Sequence, residues 1–294
     1  DQFSLPVPAT LDDLDRIAAT IAPPNKDGRY QRMGYLPDPR RLWAWGAVFG
    51  GAFLDPLAKS PAAQISGDAP EIVQALEWMA SYSRRYGPSA VAAFRSGEQA
   101  ISGATFPLLQ NRRYAVVMDG QWRVRDIADA QRYARQRGEP FDEIVVAPLP
   151  PPEGGRANAG WVNGNFFVIP RTAANKQGAW EFAKFWTGFG GNEASAAAAC
   201  ARGGWIPASQ HVVDRPEYQA ALRETPLLAK FVDLAASPNQ APTPSLPAAA
   251  YYVQQINQAA EHLLFRNAAS DPAMLLKEAS DRVRARLQEA LNER

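Results

Sequence analysis

The amino-acid sequence predicts an α/β fold with an open sheet, and three observations predict it. Residues 114–122, YAVVMDGQW, form a short apolar run that stops at an Asp119-Gly120 turn, the pattern of a buried strand. Residues 160–170, GWVNGNFFVIP, place the β-rich run Phe166, Phe167, Val168 and Ile169 after a polar turn, Asn163-Gly164-Asn165. Around them apolar residues recur at helical spacing, as in Ile72, Val73, Leu76, Met79 and Ala80. Open α/β sheets hold ligands at the carboxyl ends of their strands. The two turns would deliver Asp119, Gln121 and Trp122, and Trp161 with its neighbouring amides, to such an edge.

Taken in order, Thr10 is an N-cap with Asp13 at N3, and Leu11, Leu14, Ile17, Ala18 and Ile21 carry a helix that Pro23-Pro24 stops. Asn25 to Gly28 reads as a turn, and residues 33–36 as a short strand. A short helix begins at Leu42 and ends at Phe49-Gly50-Gly51. Trp43 and Trp45 on it are two apart, roughly 200° around the axis, which puts one in the core and the other facing a cleft. Asp68 caps the clearest helix, ended by Gly87-Pro88. Residues 94–97 read as a loop and 106–110 as a short helix.

An Arg/Asp/Gln-rich helix follows from about 121 to 136, its charges forming a solvated face. Residues 144–147 are a strand, and 148–160, PLPPPEGGRANAG, a linker by composition. Asn175 opens a helix whose Trp180, Phe182, Phe185 and Trp186 read as core. Gly203-Gly204 place Trp205 on an exposed turn beside Arg202. Residues 248–264 form a helix that starts with Tyr251 and Tyr252, and a last helix has Pro272 at N1.

The composition excludes several function classes. Thirty-one basic residues against 30 acidic give a net charge of +1, so no field of one sign attracts nucleic acid or an anionic membrane. One cysteine, Cys200, follows an alanine run and reads as a packed helix thiol. Two histidines stand far apart, no CxxC or HExxH occurs, and no metal or cofactor is expected. Phosphate-cradling and nucleophile-elbow motifs are absent too, so no catalytic residue is assigned. The eight tryptophans are the distinctive feature. Aromatic faces rimmed by amide and guanidinium donors suit the apolar face of a pyranose.

With these motifs in place, their order resembles the extracellular solute-binding proteins of bacterial ABC sugar importers, the maltose-binding type. The matching pieces are the Thr-Leu-Asp-Asp-Leu helix, Phe49-Gly50-Gly51, EIVQALEWM at 71–79, 94–97, MDGQW at 118–122 and APLPPPEGG at 147–155. GWVNGNFFVIP, AWEFAKFWT at 179–187, Gly204-Trp205-Ile206-Pro207 and Tyr251-Tyr252 complete them. The resemblance implies a periplasmic-binding-protein-like fold with one largely complete α/β lobe, residues 1–158 and 220–294. A partial second lobe would cover 159–219, with crossovers near 158–163 and 219. Family members carry an opening segment before the point where this sequence begins, so it implies a member lacking that segment.

The same resemblance implies an oligosaccharide captured in an aromatic-lined cleft and handed to permease subunits, without catalysis. Trp122, Tyr251 or Tyr252, and Trp43 or Trp45 would be its stacking rings, and Asn163-Gly164-Asn165 a ligand-facing crossover. Trp161, Asp119 and Gln121 join them on the strand-end argument, and Trp205 with Arg202 on the exposed-turn argument. A monomer, exported to the periplasm or the outer face of the cytoplasmic membrane, is expected. The alternatives are a binder of a phosphorylated polyol or polyamine, and a glycan-cleaving enzyme.

Overall fold

The computed structural model describes residues 5–22, 28–99 and 113–292. In chain order the helices are α1 (Leu11–Ile21), α2 (Leu42–Val48), α3 (Pro70–Tyr86), α4 (Pro88–Gln99), α5 (Arg123–Arg137) and α6 (Lys176–Thr187). There follow α7 (Glu193–Gly203), α8 (Gln210–Val213), α9 (Pro216–Glu224), α10 (Pro226–Ala235), α11 (Ala249–Glu261) and α12 (Pro272–Asn292). Among the described residues the strands are β1 (Gly160–Val162) and β2 (Gln240–Pro242), paired in parallel with Trp161 opposite Ala241. The expected helix at 106–110 and most of the turn at 25–28 lie outside the described residues.

The chain divides into two compact units. One comprises residues 1–118, 147–162 and 237–294, and the other 119–146 and 163–236. These limits differ from the expected lobes in three places, the smallest being residues 159–162, which belong to the first unit with β1. Residues 119–146 belong to the second unit because Val124 packs with Ala196, Ala197, Val212 and Tyr218. Residues 220–236 join it because Leu228 enters the same cluster.

In the first unit the sequence dictates α1 locally. Thr10 accepts from the Asp13 N–H while the Asp13 carboxylate accepts from the Thr10 N–H, a reciprocal capping box. Its buried positions are Leu11, Leu14, Ile17, Ala18 and Ile21, the five at helical spacing. Asp68, in contrast, does not cap α3: Ala69 holds that position before Pro70, and the Asp68 carboxylate accepts from Arg284 at 2.8 Å. Residues 94–97 are helical, because Pro88 starts a new helix as readily as it ends the old one.

The helix α2 corrects the cleft-facing tryptophan. Every residue from Leu42 to Val48 is buried, and Trp43 and Trp45 are 2% and 1% exposed. Their opposite directions lead into opposite halves of one core. Trp45 packs on Trp78 at 4.4 Å between ring centroids and donates to the Tyr35 hydroxyl at 3.1 Å. Trp43 packs on Phe53 at 4.0 Å and on Tyr252 at 5.1 Å. Ala44, Gly46 and Ala47 between them let neighbours close in; a Cβ on Gly46 would lie 2.9 Å from the Phe53 ring.

The expected strand at 33–36 reduces to one bridge, Met33 to Tyr114, with the Val116 N–H donating to the Gly34 carbonyl at 2.8 Å. Gly34 lies against α1, where an added Cβ would come within 2.5 Å of the Ile17 carbonyl oxygen. Both atoms belong to rigid backbone, so Gly34→Ala is expected to destabilise by about 1–3 kcal/mol, read by urea unfolding. A neutral result would show that α1 can move away from this strand.

The proline-rich 148–160 stretch is not a free linker. The Arg156 N–H donates to the Val48 carbonyl at 2.8 Å, and the Asn239 amide to the Ala157 carbonyl at 2.8 Å. Asn158, at φ 52°, takes the left-handed backbone that asparagine tolerates, and its carbonyl accepts from Gln240. This stretch delivers Trp161 on β1.

The second unit departs furthest from expectation. Residues 144–147 and 166–169 form no strand. No residue of α6 is buried, so Trp180, Phe182, Phe185 and Trp186 are not core. Phe182 and Trp186 pack on each other and on Phe167, Trp186 also lies against Trp205, and Trp180 lies against Phe189, while all four aromatics of the helix stay partly or largely exposed. Asn175 does cap α6, accepting from the Gly178 N–H at 2.8 Å, and Gly188 ends it at φ 79°.

Candidate functional site

In the first unit the candidate rings form one cluster. Trp161 lies 6.5 Å from Trp43, which touches Tyr252 and Phe53. Burial divides them by role. Trp43, Trp45 and Tyr252 have no face left for a ligand, since the core takes both sides of each ring. The Tyr252 hydroxyl is committed as well, donating to the Phe53 carbonyl at 2.7 Å. Trp161 and Tyr251 are only partly buried, so they retain accessible ring surface. Trp161 is held in place by its indole N–H, which donates to the Thr243 hydroxyl at 3.0 Å. Thr243, beyond β2, carried no signal in the sequence.

In the second unit the start of α5 and the 202–205 turn come together. The Arg125 guanidinium donates to the Arg202 carbonyl at 2.6 Å, so part of the charge run expected as a solvated face is a structural tie. The Asp119 carboxylate accepts from its neighbour Gly120 and from Arg123 at 2.8 Å. Burial works against the charged Arg123 guanidinium, but hydrogen bonds to Asp119 and Asp126 raise its pKa overall. Asp119 is therefore neutralised by its own neighbour, which disfavours a cationic ligand such as a polyamine.

Trp122 is half-exposed, with its ring folded over Gly120. A Cβ on Gly120 would lie 2.2 Å from that ring, so only glycine permits the fold-back. Gly120→Ala should therefore swing the indole away and change Trp122 fluorescence, with a loss of stability below about 1 kcal/mol because the displaced group is a flexible side chain. An unchanged spectrum would count against this placement. Trp205 is also part-exposed, 5.8 Å from Trp186. Gln121 is half-buried, and Arg202, Asn163, Gly164 and Asn165 are exposed, with the Asn163 side chain closing an Asx turn on the Gly164 N–H at 2.8 Å. Among the described residues no group of three or more His, Cys, Asp and Glu is placed to hold a metal ion.

Residues 1–225 match the family model for bacterial extracellular solute-binding protein. The chain belongs to that family. Among solved structures, CpMnBP1 with mannotriose bound is 21% identical and superposes with a TM-score of 0.71 over 95% of this chain and 66% of its own. The sugar-binding protein MalE of Xanthomonas citri is 17% identical, with a TM-score of 0.67 over 97% of this chain and 65% of its own. An ABC substrate-binding protein of Listeria monocytogenes in complex with cycloalternan gives 17% and 0.65, covering 96% of this chain and 66% of its own.

The fold is that of the periplasmic solute-binding proteins, here largely helical with a small parallel sheet. The chain spans just under two thirds of the length of these neighbours. No curated protein sequence matches it. Among the described residues no helix is long and apolar enough to cross a membrane.

Proposed function

We propose that this solute-binding family member is the capturing component of an ABC importer, that its ligand is a neutral oligosaccharide, and that it performs no catalysis. The carrying observation is Trp161: a ring anchored by Thr243, backed by the Trp43 and Tyr252 core, and still partly open. Anchoring removes the rotamer freedom that an unheld side chain would lose on binding. Tyr251 of the first unit, and Trp122 and Trp205 of the second, are the other rings proposed to stack on sugar. Gln121, Asn163, Asn165 and Arg202 supply hydroxyl partners. The neighbours with mannotriose and cycloalternan bound support a carbohydrate ligand. Delivery to permease subunits, from the periplasm or the outer face of the cytoplasmic membrane, belongs to the same proposal and is supported by the extracellular family.

Titrating intrinsic tryptophan fluorescence with mannose- and glucose-based oligosaccharides tests it. A saturable change that scarcely responds to ionic strength is expected, since stacking on a neutral ligand is not screened by salt. Trp161→Ala should weaken binding by about tenfold or more. No response to any sugar would overturn the reading.

A further inference from the structure

The hydrogen bond that holds Trp161 leaves one group uncommitted. The Thr243 oxygen accepts the indole N–H at 3.0 Å, and a hydroxyl that accepts still has its own proton to donate. Among the described residues the Thr243 hydroxyl makes no other hydrogen bond. Thr243 is only partly buried, as Trp161 is, so both can meet a ligand.

Local chemistry holds this hydroxyl still. Thr243 lies between Pro242 and Pro244. The proline after it confines its backbone to the extended and polyproline region, and branching at Cβ stiffens its side chain. Pro242 pairs with Val162 in the β1–β2 ladder, which ties the threonine to the strand that carries Trp161. With the oxygen fixed by backbone and indole together, the freedom left is rotation of the O–H about the Cβ–Oγ bond.

Geometry then selects what that proton can meet. An indole N–H points outward in the plane of its ring, so an acceptor 3.0 Å from the nitrogen sits just beyond the ring's edge. A pyranose stacked on an aromatic ring lays its apolar C–H face on the ring and holds its equatorial hydroxyls around its rim. The rim hydroxyl over the nitrogen edge of Trp161 comes within reach of Thr243. An axial hydroxyl on the same carbon points along the stacking direction and misses it.

We propose that Thr243 is a specificity-determining residue, which donates its hydroxyl proton to one equatorial hydroxyl of the sugar unit stacked on Trp161. This deepens the carbohydrate reading and rests on it. Trp161 supplies stacking that many pyranoses share, and Thr243 adds discrimination between a sugar and its epimer at one carbon. A ligand without that hydroxyl leaves the held proton unpaired in a site from which it has displaced water.

The test measures dissociation constants by tryptophan fluorescence for mannotriose, maltotriose and the longer oligosaccharides of each series. Singly deoxygenated and singly epimerised analogues of the sugar bound best are then compared in the wild type, Thr243→Val and Thr243→Ser. At one carbon the wild type should bind both analogues about 3–10-fold more weakly than the parent, the worth of one neutral hydrogen bond. Thr243→Val should bring that ratio to about one while leaving the ratios at other carbons in place, and Thr243→Ser should restore it. If Thr243 only holds the indole, Thr243→Val weakens every sugar by the same factor and leaves every ratio intact, which overturns the proposal while the carbohydrate reading stands. A wild type that binds none of these sugars overturns that reading, and this inference with it.

Discussion

Replacing Trp43 with alanine is expected to destabilise the first unit by about 3–5 kcal/mol, the cost of removing a large ring from a packed core. The site has little freedom to collapse. Phe53 lies 4.0 Å away, Tyr252 5.1 Å away, and Tyr252 is pinned by its bond to the Phe53 carbonyl. Urea unfolding followed by circular dichroism measures the effect, and a loss below about 1 kcal/mol would contradict the burial. Phenylalanine at the two α2 positions separates packing from hydrogen bonding. The Trp45 indole N–H is bonded to Tyr35, whereas that of Trp43 is buried without a partner. Trp45→Phe removes a made bond and strands the Tyr35 hydroxyl. Trp43→Phe instead removes an N–H whose desolvation was never offset. Trp43→Phe should therefore be the milder of the two.

The contrast explains what the sequence could show. Local rules read correctly: the Thr10 capping box, the Asn175 cap, the glycines after α2 and α3, and the stripe of α1 all rest on residues within a few positions of one another. Angular spacing also read correctly for Trp43 and Trp45. The inference from it did not, because whether a direction leads to water depends on what packs there, and Phe53, Trp78 and Tyr252 are distant in sequence. The same limit governs the site. Trp161 was legible as a ring near a turn, but Thr243, which anchors it, was not. Asp68 was a good cap by type, and Arg284, more than two hundred residues on, claims it. For α6 the aromatic spacing signalled a buried helix, while its surroundings among the described residues leave it open.

Alkaline pH should unfold the first unit through its buried tyrosines. Tyr35, Tyr82 and Tyr252 all have pKa values raised well above the ordinary 10.0, chiefly because burial disfavours the phenolate. For Tyr82 the hydrogen bond to Asp15 and that carboxylate's charge add to the shift. An unfolded chain loses these protons near pH 10, whereas the folded one keeps them, so the native state binds more protons above that pH. Stability then falls as pH rises, by about 1.4 kcal/mol per pH unit for each tyrosine and about 4 for the three together. Below pH 10 these groups contribute no slope. In a pH titration, tyrosinate absorbance from the three should appear in one cooperative step that coincides with loss of circular dichroism. Tyr82→Phe should make the fall shallower by about a third, even if it lowers stability at neutral pH by leaving Asp15 with the Trp78 indole as its remaining partner. Gradual ionisation near pH 10 with the helices intact would mean that water reaches this aromatic cluster and would contradict the burial of Tyr35, Tyr82 and Tyr252.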